Sequence, residues 1–316
     1  MLNSLLKFRE ELKNFYKRTD VYLLAILKFL LAFAIYYFIN TNTGYMPVAS
    51  SILIVVILAL VSSILPLAWT VVFGLALIVI QSFGIDMAVG VFAACIYVVL
   101  YIFFMRFAPH DCIAVLLAPL CFSIGIPCVI PVTLGMRGKA SSALAAVTSV
   151  ISYSFFVQLP AIAQLKEAGE LSEFELVKEA MNLMAEGSRM LLYIVVFAAV
   201  TLVAYLIRKI LTVYGWLTSA LVGAALYIGL IMLGVAFLDV ETDFIRLIIG
   251  SLISVGIALV IAFFTFSVNY KASRYLQFED DDYYYYVKAI PKNKPISYDD
   301  EVDEVEEYLD DEDDWT

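Results

Sequence analysis

The chain has 316 residues, 63% hydrophobic and 16% charged, with a mean hydropathy of +0.91. Soluble domains are about half apolar, so this excess excludes a soluble globular fold and points to the bilayer as its sink. The net charge of −10 averages two unlike parts: residues 275–316 hold 16 Asp+Glu against 3 Lys+Arg, and the rest is mildly basic at +3.

Along residues 3–18, Leu5, Phe8, Leu12, Phe15 and Tyr16 repeat at helical spacing, with Lys7, Arg9, Lys13, Lys17 and Arg18 among them. This predicts an amphipathic helix over 1–20 lying on anionic headgroups. The alternative is a short solvated helix leading into the first span. No small-residue cleavage pattern follows the first apolar run, so that run is expected to stay as an anchor.

A run of about 18 or more apolar residues with few charges reads as a transmembrane helix. Eight such stretches are Val21–Ile39, Met46–Ser63, Pro66–Phe83, Met87–Met105, Ala140–Gln158, Met190–Ile210, Gly215–Leu238 and Phe244–Val268. Pro66 suits a first-turn position.

Residues 111–134, DCIAVLLAPLCFSIGIPCVIPVTL, differ from the rest. Pro119, Pro127, Pro131 and Gly125, with Gly135 just beyond, interrupt any straight helix. Basic residues favour the cytoplasmic side of short loops, and the N-terminus is basic. Four spans then return the chain to the inside at Arg106. A crossing at 111–134 would put Arg137, Lys139, Arg208–Lys209 and Lys271–Arg274 outside. A segment that dips in and turns back keeps them all inside. The expected fold is therefore all-α: a polytopic helical membrane bundle of eight transmembrane helices plus a re-entrant hairpin, with an acidic cytoplasmic tail and both termini cytoplasmic. Nine spans with a proline-kinked crossing are the alternative. Broken backbone at membrane depth is tolerated only inside protein or along a wet cavity, so the hairpin is the favoured functional element.

The main external loop is expected at 160–189. Ser172 and Glu175 form a capping-box pattern, followed by an apolar stripe of Phe174, Val177, Met181 and Met184. Small residues at four-residue spacing (Ser141, Ala145 and Ser149; Gly250, Ser254 and Ala258; Gly90 and Ala94) permit close helix contact. In the tail, QFEDDDYYYYVKAIP has strand propensity around its aromatic run. Residues beyond Tyr298 are expected to form a short helix or to order only on a partner.

Candidate binding residues follow from the hairpin. Arg106, His110, Asp111, Arg137 and Lys139 bracket it, and Ser123, Gly125 and Pro127 form its tip. The functional reading is a basic mouth for an anionic headgroup or metabolite, assisted by a helix end. The plain reading is the positive-inside bias alone. Lys28, inside the first span, is either a substrate or coupling residue or a side chain that snorkels or makes a structural hydrogen bond. Asp239, Glu241 and Asp243 offer too few oxygens for calcium. Cys95, Cys112, Cys121 and Cys128 lack metal-site spacing and read as buried free thiols. No nucleophile–base motif is present, so no enzyme, metal or cofactor is expected.

The tail QFEDDDYYYYVKAIPK and the hairpin PLCFSIGIPCVIP together resemble an uncharacterised group of polytopic membrane proteins from Gram-positive anaerobes. The resemblance implies a bacterial plasma membrane and transfers no role to any residue. The expected function is transporter-like, moving a small molecule or lipid intermediate. The alternative is a scaffold or assembly subunit whose acidic tail recruits a basic cytoplasmic protein. Expected partners are the lipid bilayer and that basic protein, within a homo-oligomer or membrane complex, and not nucleic acid.

Overall fold

The structure is a computed structural model that describes residues 20–107, 109–169, 172–185, 189–210, 215–238, 243–265, 274–279 and 284–289. The amphipathic helix expected over 3–18, the acidic residues at 239 and 241 and the tail beyond Ala289 lie outside the described residues. The chain divides into two compact units, one of residues 24–262 and one combining 1–23 with 263–316.

The first unit is helical. In chain order the helices are α1 Asp20–Thr43, α2 Ile52–Ile64, α3 Leu67–Ile85, α4 Met87–Phe107, α5 Ala114–Ile124, α6 Val129–Arg137, α7 Ser142–Ala168, α8 Glu173–Ala185, α9 Arg189–Ile210, α10 Gly215–Leu238 and α11 Phe244–Thr265, the ends of α1 and α11 extending past the unit. Six are long and apolar enough to cross a membrane: α1, α3, α7, α9, α10 and α11. The stretches 52–64, 87–102 and 109–124 are apolar but shorter. Large side chains such as Ile64, Ile102 and Leu252 are exposed, at 83%, 61% and 73%. Water would not stabilise such a surface.

Buried polar side chains tie the first three helices together. The Tyr36 hydroxyl donates to the Thr70 carbonyl at 2.9 Å and shares a 2.7 Å hydrogen bond with Ser62 Oγ. Gln81 is fully buried on α3, and its Nε2 donates to Asn40 Oδ1 and Ser50 Oγ, while its Oε1 accepts from the Met46 amide. Asn40 in turn donates to the Ala49 carbonyl at 2.8 Å. An unsatisfied polar group in hydrocarbon costs several kcal/mol, so such amides must close on one another. This network explains why α2 starts at Ile52 and not at Met46. Residues 46–50 form turns, and Gln81 and Asn40 take up their backbone groups.

α7 also departs from the expected span. Pro160 sits inside it, and the helix runs on to Ala168 before Gly169 ends it at a left-handed φ of +71°. The loop expected over 160–189 is correspondingly shorter. α8 opens with the capping box read from the sequence: Glu175 Oε2 accepts from the Ser172 amide at 2.9 Å, and Ser172 Oγ lies 3.4 Å from the Glu175 amide. Its buried stripe is Leu176, Ala180 and Leu183 against Val89 and Ile162, whereas Phe174 and Met181 face outward. The stripe is displaced by one residue, from Val177, Met181 and Met184 to Leu176, Ala180 and Leu183, because α4 and α7 accept the small Ala180 closely.

In the second unit, β1 Arg274–Glu279 and β2 Tyr284–Ala289 pair antiparallel. The register sets Leu276 opposite Val287 and Phe278 opposite Tyr285.

Candidate functional site

Residues 109–138 form two short helices joined at a sharp turn. Of the three prolines, only Pro127 marks the break. Pro119 is carried within α5, and Pro131 occupies the first turn of α6, where its missing amide has no intrahelical acceptor. α5 ends in a Schellman arrangement: the Ile126 amide donates to the Cys121 carbonyl at 2.8 Å and the Gly125 amide to Phe122 at 3.1 Å. That geometry puts Gly125 at φ +88°, a conformation open to glycine at little cost. Pro127 follows directly and cannot extend α5.

The two feet of this helical hairpin meet at one side chain. Ser142 Oγ, on the first turn of α7, donates to Asp111 Oδ2 at 2.5 Å and accepts from the Lys139 amide at 3.0 Å. The chain thus leaves and returns to one end of α7. Arg208 on α9 secures the second foot, its two Nη groups donating to the carbonyls of Met136 (2.6 Å) and Gly138 (2.8 Å). These are terminal carbonyls of α6, left without intrahelical partners. α6 lies close along α9: a Cβ at Gly135 would fall 2.5 Å from Ala204 Cβ.

The tip is held by α11. Arg246 Nη2 donates to the Ser123 carbonyl at 2.7 Å, and Ser254 Oγ to Ile126 at 3.3 Å. A Cβ at Gly250 would fall 1.9 Å from the Gly125 carbonyl oxygen, so the two glycines permit backbone contact. Gly250 and Ser254 of the stripe Gly250, Ser254 and Ala258 therefore meet the turn of the hairpin.

Around the tip lies an aromatic cluster. Phe122 stacks on Tyr153 at 3.8 Å between centroids and packs near Tyr193 (5.0 Å) and Phe197 (5.7 Å), with Tyr227 6.3 Å beyond Phe197. The Ser251 hydroxyl, 2% exposed, adjoins the fully buried Cys128 thiol. At the far side of the cluster Tyr227, 1% exposed, has a hydroxyl with no hydrogen-bond partner. A buried hydroxyl without a partner costs about 1–3 kcal/mol.

The residues expected from sequence divide between the two ends of the hairpin. Asp111 and Lys139 come together at Ser142, and His110 and Arg137 are exposed at the same end. Arg106 is in the last turn of α4, and its side chain lies outside the described residues. Ser123, Gly125 and Pro127 form the tip. Lys28 is elsewhere, donating to the Leu65 carbonyl at 3.2 Å between α2 and α3. That bond is the structural role weighed for it. Sequence reasoning missed Arg246, Tyr153, Tyr193, Tyr227 and Ser251. Arg246 carried the one available signal, a cation within the first turn of an otherwise apolar span. The thiols are free; Cys112, Cys121 and Cys128 are buried as expected, and Cys95 is exposed. No group of three potential metal ligands occurs among the described residues.

No family model, curated protein or solved structure matches the chain.

Proposed function

We propose that the chain is a transporter-like membrane protein in which the 111–139 hairpin enters the bilayer from the cytoplasmic side, turns back, and binds the cargo at its tip. The eight spans are α1 to α4, α7 and α9 to α11, with both termini cytoplasmic. The reading rests on one observation. Broken backbone at the tip is capped by an arginine from α11, beside an aromatic cluster that ends in the unpartnered buried hydroxyl of Tyr227, an arrangement that costs stability and has no need to exist in a simple anchor. From Asp111 to Gly125 the helix rise covers about 20 Å, two-thirds of a hydrocarbon core of about 30 Å. The basic feet supply the positive-inside signal.

Flux in reconstituted vesicles tests the function. Wild-type protein should move a small anionic or amphiphilic cargo, and replacing Pro127 and Pro131 together should abolish the movement. Absence of flux from wild type for every candidate cargo removes the reading. Topology is tested separately by single cysteines at 137, 170 and 290 in a background lacking the native thiols. Positions 137 and 290 should react only from the inside and 170 only from the outside.

A scaffold role has its own observation in the β1–β2 pair, whose connecting segment carries Asp280, Asp281 and Asp282. An acidic hairpin suits a basic cytoplasmic protein. Full-length protein should then retain such a partner at low salt and release it at high salt, and exchanging the three aspartates for asparagine should abolish retention.

A further inference from the structure

We propose that the second foot of the hairpin docks the headgroup of an anionic phospholipid, its phosphate met by Arg137, Lys139 and Lys209 around the fixed Arg208 guanidinium and its acyl chain laid along α9. The site is separate from the cargo site at the tip. It rests on the preceding reading only for placing the feet at a membrane surface.

Arg208 fastens two basic segments together. Its Nη groups hold the carbonyls of Met136 and Gly138, at 2.6 and 2.8 Å. Those two residues flank Arg137, and Lys139 follows directly. Consecutive Cα atoms are about 3.8 Å apart, so Arg137 and Lys139 are both rooted within a Debye length, about 8 Å, of that guanidinium. Lys209 is the next residue on α9. Arg137, Lys139 and Lys209 are exposed, and none has an ion-pair partner among the described residues. Asp111, the carboxylate at this end, is committed to the Ser142 hydroxyl. Other carboxylates gather toward the far end of α7, where Lys166 is about 35 Å along the helix from Ser142. Asp86 pairs with Lys166 there, and Glu173, Glu175 and Glu179 lie on α8, which packs against Ile162.

Like charges this close repel one another, and a bound anion offsets the cost. A phosphate suits them: the ammonium groups act as point charges, and the two carbonyls engage only two of the five N–H groups of Arg208. The surroundings favour a phosphate that carries a tail. Leu202, Leu206 and Ile210 repeat every fourth residue on α9, all exposed, and the stripe ends beside Lys209. Tyr205, whose ring centroid is 5.7 Å from the Arg208 guanidinium carbon, and Trp216, in the first turn of α10, lie at the same end. Such aromatic side chains favour the headgroup level. The positive-inside bias accounts for cations at this end, but it does not require them to gather round one fixed guanidinium at the end of an exposed apolar stripe.

The experiment uses the full-length chain in a neutral detergent and follows its thermal unfolding midpoint. Three probes are added at matched ionic strength: phosphatidylglycerol, phosphatidylcholine and inorganic phosphate. Phosphatidylglycerol should raise the wild-type midpoint, saturably, above the phosphatidylcholine level. Arg137→Gln, Lys139→Gln and Lys209→Gln should each weaken its apparent affinity about fivefold, and the triple variant on the order of a hundredfold. Ligand-free midpoints should stay at or above wild type, because the substitutions relieve repulsion; a structural role would lower them. Lys178→Gln, on α8, should leave the affinity unchanged. Equal midpoints with the two lipids, or the same phosphatidylglycerol affinity in the triple variant and wild type, overturn the site, and the cations then serve topology alone. A rise with inorganic phosphate that matches phosphatidylglycerol and is lost in the triple variant overturns the lipid in favour of a soluble phosphate. Flux in vesicles without variant-sensitive binding sinks the dock and leaves transport standing. Variant-sensitive binding without flux does the reverse.

Discussion

Arg246 and Ser123 are 123 positions apart in sequence, yet the guanidinium of one caps the carbonyl of the other at 2.7 Å. Ser123 is in the last turn of α5, where carbonyls lose their intrahelical partners and the helix dipole is negative. A cation there contributes about 0.3–2 kcal/mol, depending on exposure. Because Arg246 is exposed, the lower half of that range applies. Arg246→Gln should therefore cost about 1 kcal/mol of stability, read as a small drop in unfolding midpoint. Arg246→Lys should recover part of it through charge alone. A loss several times larger would mean that the arginine organises the whole tip.

Arg208 does more at the other end of the hairpin. It places two charge-assisted hydrogen bonds on two terminal carbonyls and is only part-exposed. Hydrogen bonds to charged groups contribute about 1.5–3 kcal/mol each. Arg208→Ala should cost about 2–3 kcal/mol overall, since water partly resolvates the freed carbonyls. Arg208→Lys should recover less than half, because an ammonium lacks the planar fork. Limited proteolysis between Arg137 and Ala140 should accelerate in the alanine variant, and equal rates would show that the foot is held by other contacts.

The glycine contacts give a controlled pair. Gly250→Ala brings a methyl group against the Gly125 carbonyl, where only 1.9 Å is available. The backbone must shift, and overpacking of this kind costs about 1–3 kcal/mol or more. Gly229, in the middle of α10, has open space where a Cβ would stand, with nothing within 4 Å. Gly229→Ala should be neutral or stabilising by up to about 1 kcal/mol from helix propensity. Midpoints of the two variants in the same detergent should move apart, and parallel shifts would refute close approach at Gly250.

Much of the helical framework is legible in the residues alone. Long apolar runs carry a strong signal, and the span Gly215–Leu238 coincides with α10. The capping box at Ser172 is legible because its hydrogen bonds are local. Gly125 and Pro127 announce a break for the same reason. Features that depend on distant partners are not legible. The late start of α2 depends on Gln81, 29 residues beyond Ile52. The apolar stripe of α8 is misplaced by one residue because Phe174 and Met181 are as hydrophobic as Leu176, and only packing against Val89 and Ile162 separates them. At the candidate site, the sequence exposes the hairpin and its basic feet. It does not expose the tyrosines and Arg246, because nothing local ties α7, α9, α10 and α11 to the turn at 123–128.

The pair Asp86–Lys166 predicts a pH dependence at low pH. The Asp86 carboxylate, 8% exposed, accepts from the Lys166 ammonium and from the Ala88 amide at 2.8 Å. The lysine hydrogen bond is the larger cause holding its carboxyl below the ordinary carboxylate range. A group whose folded value is depressed adds stability above its unfolded value, about 3.9 for Asp, and loses it as pH falls through the folded value. The contribution should thus be flat from about pH 5 to 8 and decline below about pH 4. Its size is limited, because Lys166 is 40% exposed and water screens it. Asp86→Asn keeps a helix-capping side chain while removing the charge, so it isolates the pair from the cap. The difference in unfolding midpoint between wild type and Asp86→Asn should be constant from about pH 7 to 5 and shrink as the pH falls below about 4. Lys166→Met should cost more than Asp86→Asn, because it strands a nearly buried carboxylate. A wild-type and Asp86→Asn difference that stays constant down to about pH 3 would show that the pair contributes nothing to the folded state.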